Sequence, residues 1–363
     1  MANPVGRAER VALSVGEVTG SVGDLVTTLP IVVALAALTE VSLPHVLLVF
    51  GAFQIVWGVA YGLPLSVEPM KALAALAIAG SLTYAELAVA GVVLGVVLTA
   101  LGGAKVLGAV ERWIGEPVVR GVQLAVALLL LRTGAALALD DLVLAVGGGA
   151  VAAAAIALGH KRASALAVLG VGVVVAVVSA GLPAPSVPGL PPTPDLGAGL
   201  TFGALDGAVA QLAMTIGNAA IATSLLVSDL FEARVSADRL SRNMGLMNLA
   251  SIPLGGIPMC HGCDGVAGAH AFGARTGGAN VIQGAGFVAI VPFAGAAFVA
   301  AFPIPVLGVL LGIVAIELSR SALGTESLGL TVLVGVLGAA VNVAAGLLVG
   351  AAVYQLLLRR ERR

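Results

Sequence analysis

Charge is scarce in this chain. Only 10% of its 363 residues are Asp, Glu, Lys or Arg, against about 25% in a soluble domain. With 59% hydrophobic residues and a mean hydropathy of +1.10, the shortage excludes a soluble globular protein and predicts an all-α chain that crosses a membrane many times. The net charge of −1 leaves no basic surface for nucleic acid. Two cysteines, Cys260 and Cys263, lie too close together for a disulfide framework. No nucleotide fingerprint and no Ser-His-Asp arrangement is visible, so neither an enzyme, a cofactor nor direct ATP coupling within the chain is expected. The polar start, Met1 to Glu17, has no cleavable signal pattern, and the first apolar span is expected to stay in the protein.

Glycine and apolar runs are what the chain has in quantity. Its 49 glycines suit transmembrane helices whose backbones approach closely. Apolar runs lie near 22–40, 44–62, 83–103, 117–138, 141–159 and 163–182, then near 205–230, 243–254, 279–301, 303–319 and 328–358. A spanning helix needs about 20 residues, so 328–358 is long for one pass and short for two. Cytoplasmic loops collect Lys and Arg. Arg7, Arg10, His160-Lys161-Arg162, Arg234 to Arg242, Arg320 and the tail Arg359 to Arg363 fall on one side only if 328–358 crosses twice, turning near Asn342. The prediction is fourteen segments (twelve to fourteen) with both termini cytoplasmic. The expected location is the cell (inner) membrane. The proline-rich loop divides the chain into a first repeat, 1–182, an extracellular linker, 183–198, and a second repeat, 199–363.

Two segments interrupt the apolar pattern with prolines, glycines and ionisable groups. They are Leu63-Pro-Leu-Ser-Val-Glu-Pro-Met-Lys71 and Gly255-Gly-Ile-Pro-Met-Cys-His-Gly-Cys-Asp-Gly265. Broken backbone survives at membrane depth only where it is buried in protein or lines a cavity. A pair of breaks in corresponding positions of two halves points to the binding site of a secondary transporter. Ser21-Val-Gly-Asp-Leu-Val-Thr-Thr28 and Thr215-Ile-Gly-Asn-Ala-Ala-Ile-Ala-Thr223 echo one another, each about 40 residues before its half's break. Seven segments per half make the repeats inverted. Half-helices starting near Pro69 and Gly262 would meet at the midplane, each offering free N–H groups to an anion.

Glu68 and Lys71 are costly in lipid and are site candidates for that reason. Three residues apart, they either form a helical salt bridge or divide the work. In the second case Lys71 is the anion-side charge and Glu68 a hydrogen-bonding or proton-carrying group. Asp24 is either a second proton site or a surface acid at a helix end. Thr215 and Asn218 offer neutral donors before the second break. Cys260, His261 and Cys263 invite a zinc or redox reading, but a zinc site needs four tetrahedral ligands, and no metal is expected. His261 is either a polar wall of the substrate cavity or a structural histidine. Arg275 anchors a helix end, and Arg132 and Glu317 carry no assigned role.

At these residues the chain resembles the molybdate transporter family, distant kin of the sulfate permeases. Pro64-Leu-Ser-Val-Glu-Pro-Met-Lys71 is similar to its first signature, and Gly256-Ile-Pro-Met-Cys-His-Gly262 with Phe272-Gly-Ala-Arg-Thr-Gly277 to its second. Gly217-Asn-Ala-Ala-Ile-Ala-Thr223, Gly245-Leu-Met-Asn248 and Gly23-Asp24 resemble neighbouring helices. The resemblance implies the fold of the uracil permease and sulfate permease group, with core and gate domains. It also implies transport of a tetrahedral oxyanion: molybdate first, then tungstate or sulfate. The expected substrate-binding set is Glu68, Pro69, Lys71, Thr215, Asn218, Cys260, His261 and Gly262, with Asp24, Glu68 and Asp264 as candidates for proton coupling. Protons or sodium, membrane lipid and a second copy of the chain in a homodimer are the other expected partners. The alternatives are a nucleobase–cation symporter of the same fold and a Cys/His metal-binding membrane protein. Two departures stand out: Glu68 where the pattern leads one to expect glutamine, and Cys263-Asp264 where it leads one to expect small residues.

Overall fold

The first half of the chain folds as α1 (Val15–Gly23), α2 (Leu25–Leu38), α3 (Leu43–Tyr61), β1 (Val67–Pro69), α4 (Lys71–Ile78), α5 (Tyr84–Ala104), α6 (Leu107–Ile114), α7 (Glu116–Ala138), α8 (Leu142–Ala157) and α9 (Ser164–Ala180). The second half folds as α10 (Phe202–Met214), α11 (Thr223–Phe231), α12 (Ala237–Ser251), β2 (Met259–His261), α13 (Cys263–Ala271), α14 (Gly278–Ile290), α15 (Ala296–Ala301), α16 (Ile304–Leu323), α17 (Leu328–Ala340) and α18 (Val343–Glu361). This computed structural model describes residues 10–361; Arg7, Arg362 and Arg363 lie outside them.

Among the described residues, six helical stretches are long and apolar enough to cross a membrane: α3, α5, α7, the continuous run Phe202–Phe231, α16 and α18. The pair α1 and α2, bent by 46°, makes a seventh, and α8, α9, α14 and α17 are shorter apolar helices. The stretch 328–358 breaks at Val341 and Asn342 into α17 and α18, and the Asn342 side chain caps α18 by accepting from Ala345 N–H at 2.7 Å. At 13 residues, α17 is about 20 Å long, short of the ~30 Å hydrocarbon layer.

Local chemistry sets the helix starts. Thr83 and Glu86 form a capping box at α5, Asp141 accepts from Val143 and Leu144 N–H at α8, and Thr201 caps α10. The helices preceding both broken segments stop at a left-handed glycine, Gly62 (φ 67°) and Gly255 (φ 74°), a conformation that side chains with a Cβ resist. The proline-rich loop stays extended but tied down: Gly189 O accepts from His45 Nε2 and Pro192 O from Tyr84 OH.

Two groups of helices pack mainly among themselves. In one, α3 lies on α14, α5 on α12 and α1 on α13; in the other, α7 lies on α16 and α17, with α8, α9 and α18 around them. Small residues set these contacts. Gly23 meets Gly268, and Gly58 meets Gly277, so closely that a methyl group would strike the facing backbone. The broken segments sit where the two groups face each other.

Candidate functional site

The two broken segments meet as an antiparallel pair of strands. Val67 faces His261, Glu68 faces Cys260 and Pro69 faces Met259. Each strand then runs into its half-helix, α4 of eight residues and α13 of nine. Side chains satisfy the exposed backbone, as burial requires. Asn248 both accepts from Met259 N–H (2.7 Å) and donates to Met259 O (2.9 Å). Gln54 donates to Val67 O (3.2 Å) and Asn280 to Leu65 O (2.7 Å).

The two helix N-termini were expected to offer free N–H groups to an anion; in this structure the protein's own side chains take N–H groups at both. Gln211 Oε1 accepts from Ala72 N–H at 2.8 Å and Leu73 N–H at 3.4 Å, while its amide donates to Thr215 Oγ1 at 3.0 Å. Glu68 Oε1 accepts from Gly265 N–H at 2.8 Å. A Cβ at Gly262 or Gly265 would collide with the Glu68 carboxyl group, so these glycines make its seat. The physical reason is that buried N–H groups need acceptors, and Gln211 and Glu68 are within reach.

Charge converges on Lys71. Its Nζ lies 2.9 Å from Glu68 Oε2 and 2.9 Å from Asp264 Oδ2. The local Glu68–Lys71 pair therefore exists, and a second partner comes from the other half of the chain. Asp24 is no surface acid. It is 1% exposed at the bend between α1 and α2, and accepts from Gln283 Nε2 (2.7 Å), Thr28 Oγ1 (3.2 Å) and Gln54 Nε2 (3.5 Å). Asp264 is the accessible member of the set, with its side chain 38% exposed while Lys71 is only 6% exposed.

A cavity of about 320 Å³ opens beside this cluster. Gly23, Thr27, Lys71, Asp264, Gly268 and Phe272 form one wall, and Val314, Glu317, Leu318, Arg320 and Ser321 of α16, with Lys161, the other. Of the expected substrate-binding residues, only Lys71 lines it. Glu68, Pro69 and Gly262 lie behind, in the strand pair and its seat. Thr215 and Asn218 fall in a π-helical turn, Thr215–Ala222, a feature common at functional sites. Asn218 Oδ1 accepts from Cys263 Sγ at 2.9 Å.

His261 does not line this cavity. It is fully buried, edge-on to Trp57 and Tyr61. Its Nδ1 lies 3.1 Å from Ser66 O, and a carbonyl only accepts, so Nδ1 carries a proton; in the neutral ring Nε2 is then an acceptor. Among the described residues Nε2 has no partner, and no three His, Cys, Asp or Glu side chains converge as a metal site. Arg275 donates to His270 O and Ala274 O at the end of α13, as an anchor would. Glu17, which sequence reasoning passed over, gathers the N–H groups of Arg275, Thr276 and Ala279 and joins α1 to that end.

A strand pair thus feeds two half-helices onto one lysine, and comparison with known proteins identifies the family of the chain. Residues 16–130 and 203–318 match the family described as "Molybdate transporter of MFS superfamily". The chain belongs to the molybdate transporter family. Molybdate transporter 2 of Arabidopsis thaliana is 30% identical over 84% of this chain and 78% of its own length. Molybdate transporter 1 of Chlamydomonas reinhardtii is 27% identical over 87% and 85%. Among solved structures, the transmembrane domain of the cyanobacterial bicarbonate transporter BicA superposes with a TM-score of 0.66 at 16% identity, covering 93% of this chain and 96% of that one. SLC26A9 gives a TM-score of 0.72 at 13% identity, covering 95% and 65%. The fold is thus similar to that of BicA and SLC26A9. This member of the molybdate transporter family is a multi-pass membrane anion transporter and not an enzyme.

Proposed function

We propose that this transporter carries a tetrahedral oxyanion, molybdate first and tungstate or sulfate next, and that protons drive it. The observation that carries the reading is Lys71, held at 2.9 Å by both Glu68 and Asp264 where the two half-helices start, with Asp264 reaching the cavity. Asp264 occupies the place on Lys71 that an incoming oxyanion would take. Freeing an ionised carboxylate beside a dianion is unfavourable at low dielectric, so the exchange favours a protonated Asp264. The oxyanion then enters together with a proton. Coupling is needed, because moving a dianion into a cell that is negative inside costs about 4.6 kcal/mol at 100 mV.

The same reading takes the chain as fourteen segments in inverted repeats, 1–182 and 199–363, with both termini cytoplasmic. Its support is threefold. The family matches two stretches of nearly equal length at corresponding places. The contact of α3 with α14 mirrors that of α12 with α5. Lys161, Arg239 and Arg320 lie at or beside helix ends, as the positive-inside rule leads one to expect of cytoplasmic ends. The helix group holding both half-helices acts as the core, and the group around α7 and α16 as the gate.

Calorimetry on the purified protein tests the substrate class: molybdate should bind, tungstate should compete, and uracil should not. Binding of a nucleobase without any oxyanion would overturn the reading. Uptake into proteoliposomes with and without an inward proton gradient tests the coupling.

A further inference from the structure

The buried cluster does not by itself attract an anion. Lys71 is matched by two carboxyl groups, Glu68 and Asp264, and Asp24 adds a third. That wall of the cavity carries no surplus positive charge. The surplus lies opposite. Lys161 stands in the 3-10 turn before α9 and Arg320 in the last turn of α16, and both line the cavity. Among the described residues neither enters an ion pair; the pairs found are Lys71 with Glu68 and Asp264, and Arg120 with Glu116. Ser321, next to Arg320 in α16, also lines the cavity, and its Oγ accepts from Arg120 Nη1 at 3.0 Å. The hydroxyl hydrogen is then left to donate to a ligand. One carboxylate, Glu317, opposes them on this wall.

We propose that Lys161, Arg320 and the Ser321 hydroxyl form a second oxyanion subsite, on the α16 wall facing Lys71. The proposal rests on the oxyanion reading above. An oxyanion held there is within the same cavity as the Lys71–Asp264 pair but does not require that pair to open. The cavity volume of about 320 Å³ falls in the range of small-molecule sites. The two seats belong to different helix groups, Lys71 to one and Arg320 to the other. Sliding one group past the other would hand the anion between them, so Lys161 and Arg320 set how fast the oxyanion enters and leaves on this side. Basic residues at such a helix end also orient a chain in the membrane, but that role is indifferent to ligand and to salt.

The test uses the full chain, with molybdate as the probe. Its affinity is measured by calorimetry from low to high ionic strength, and its exit is timed from preloaded proteoliposomes. The double variant Lys161→Gln/Arg320→Gln should lose roughly tenfold in low-salt affinity and in exit rate, and most of its salt dependence. The charge-preserving pair Lys161→Arg/Arg320→Lys should keep all three. Arg359→Gln, outside the cavity, should match the wild type. The subsite is overturned if the neutral double variant keeps wild-type affinity and salt dependence, or if the charge-preserving pair loses as much as the neutral one. A wild type that binds no molybdate, tungstate or sulfate brings down the oxyanion reading and the subsite together. A wild type that binds while the variants are unaffected removes the subsite alone.

Discussion

At the start of α4 a neutral amide, Gln211, accepts the backbone N–H groups of Ala72 and Leu73, whereas at the start of α13 a carboxylate, Glu68, accepts that of Gly265. The charged residues at the two ends also differ. Lys71 opens α4 and Asp264 lies in the first turn of α13. A carboxylate is at home at the positive end of a helix and an ammonium is not. The α13 end is therefore self-sufficient, while Lys71 is held at the α4 end by carboxyl groups contributed from β1 and α13. A site built this way is attractive to anions only when something loosens the carboxyl groups. On the reading proposed above, the difference between the two ends makes anion binding conditional.

The comparison breaks most severely at Lys71. Lys71→Ala leaves Glu68 and Asp264 without their shared cation. Removing one partner of a buried pair costs about 3–5 kcal/mol. Thermal unfolding in detergent should show a large loss, and calorimetry should show no molybdate binding. A variant as stable as the wild type would mean that the carboxyl groups do not depend on Lys71.

The two caps come next. Gly265→Ala drives a methyl group into Glu68 and Asp24, and overpacking of this kind costs about 1–3 kcal/mol. Because it dislodges the Glu68 carboxyl from Gly265 N–H and from Lys71 together, it should also weaken molybdate binding. Gln211→Leu strips the acceptor from two buried N–H groups, a loss of about 1–3 kcal/mol, but leaves the Lys71 cluster intact. Binding should then fall less than in Gly265→Ala at comparable loss of stability. Equal losses of binding would erase the distinction between the neutral end and the charged one.

A milder change sharpens the same contrast. Glu68→Gln keeps an oxygen for Gly265 N–H and leaves Asp264 on Lys71, while it removes one negative charge from the cluster. Unfolding should shift little, and molybdate affinity should rise. Weaker binding in this variant would show that the Glu68 charge itself is needed.

How much of this could be read in the sequence depends on the range of each interaction. The breaks at 63–71 and 255–265 were legible because Pro64, Pro69 and Pro258, with Gly62 and Gly255, forbid a continuous helix locally. The break near Asn342 was legible because length and charge placement leave few solutions. The caps were not. Gln211 is 139 positions from Ala72, and Lys71 is 193 from Asp264, so nothing local joins them. The available signal was weaker: Gln54, Gln211, Asn280 and Gln283 are amides in apolar helices, and such residues exist to satisfy something buried. Lys161 and Arg320 were read only as orienting charges, because their sharing of a cavity with Lys71 depends on how α16 is turned. The stripe Val314, Glu317, Leu318 and Ser321, at helical spacing, is the cavity-facing side of α16.

Asp264→Asn should change stability least and pH dependence most. The asparagine still accepts from Lys71 and still suits the first turn of α13, so unfolding should move only slightly. On the reading proposed above, an arriving oxyanion displaces the Asp264 carboxylate in the wild type, and a proton taken up in the same step neutralises it. Linkage fixes the sign: a complex that holds more protons than its free components becomes tighter as pH falls. For one proton the affinity gain approaches about tenfold per pH unit at most. Molybdate affinity of the wild type should therefore rise between about pH 8 and pH 6. Asp264→Asn has no such proton to take up; it should bind tightly, with a flatter profile, and lose much of its uptake driven by a proton gradient. Calorimetry across that pH range, paired with proteoliposome uptake, measures both. If the profile of Asp264→Asn matches the wild type, Asp264 is only a helix cap, and the proton-carrying step passes to the buried pair behind it, Asp24 and Glu68.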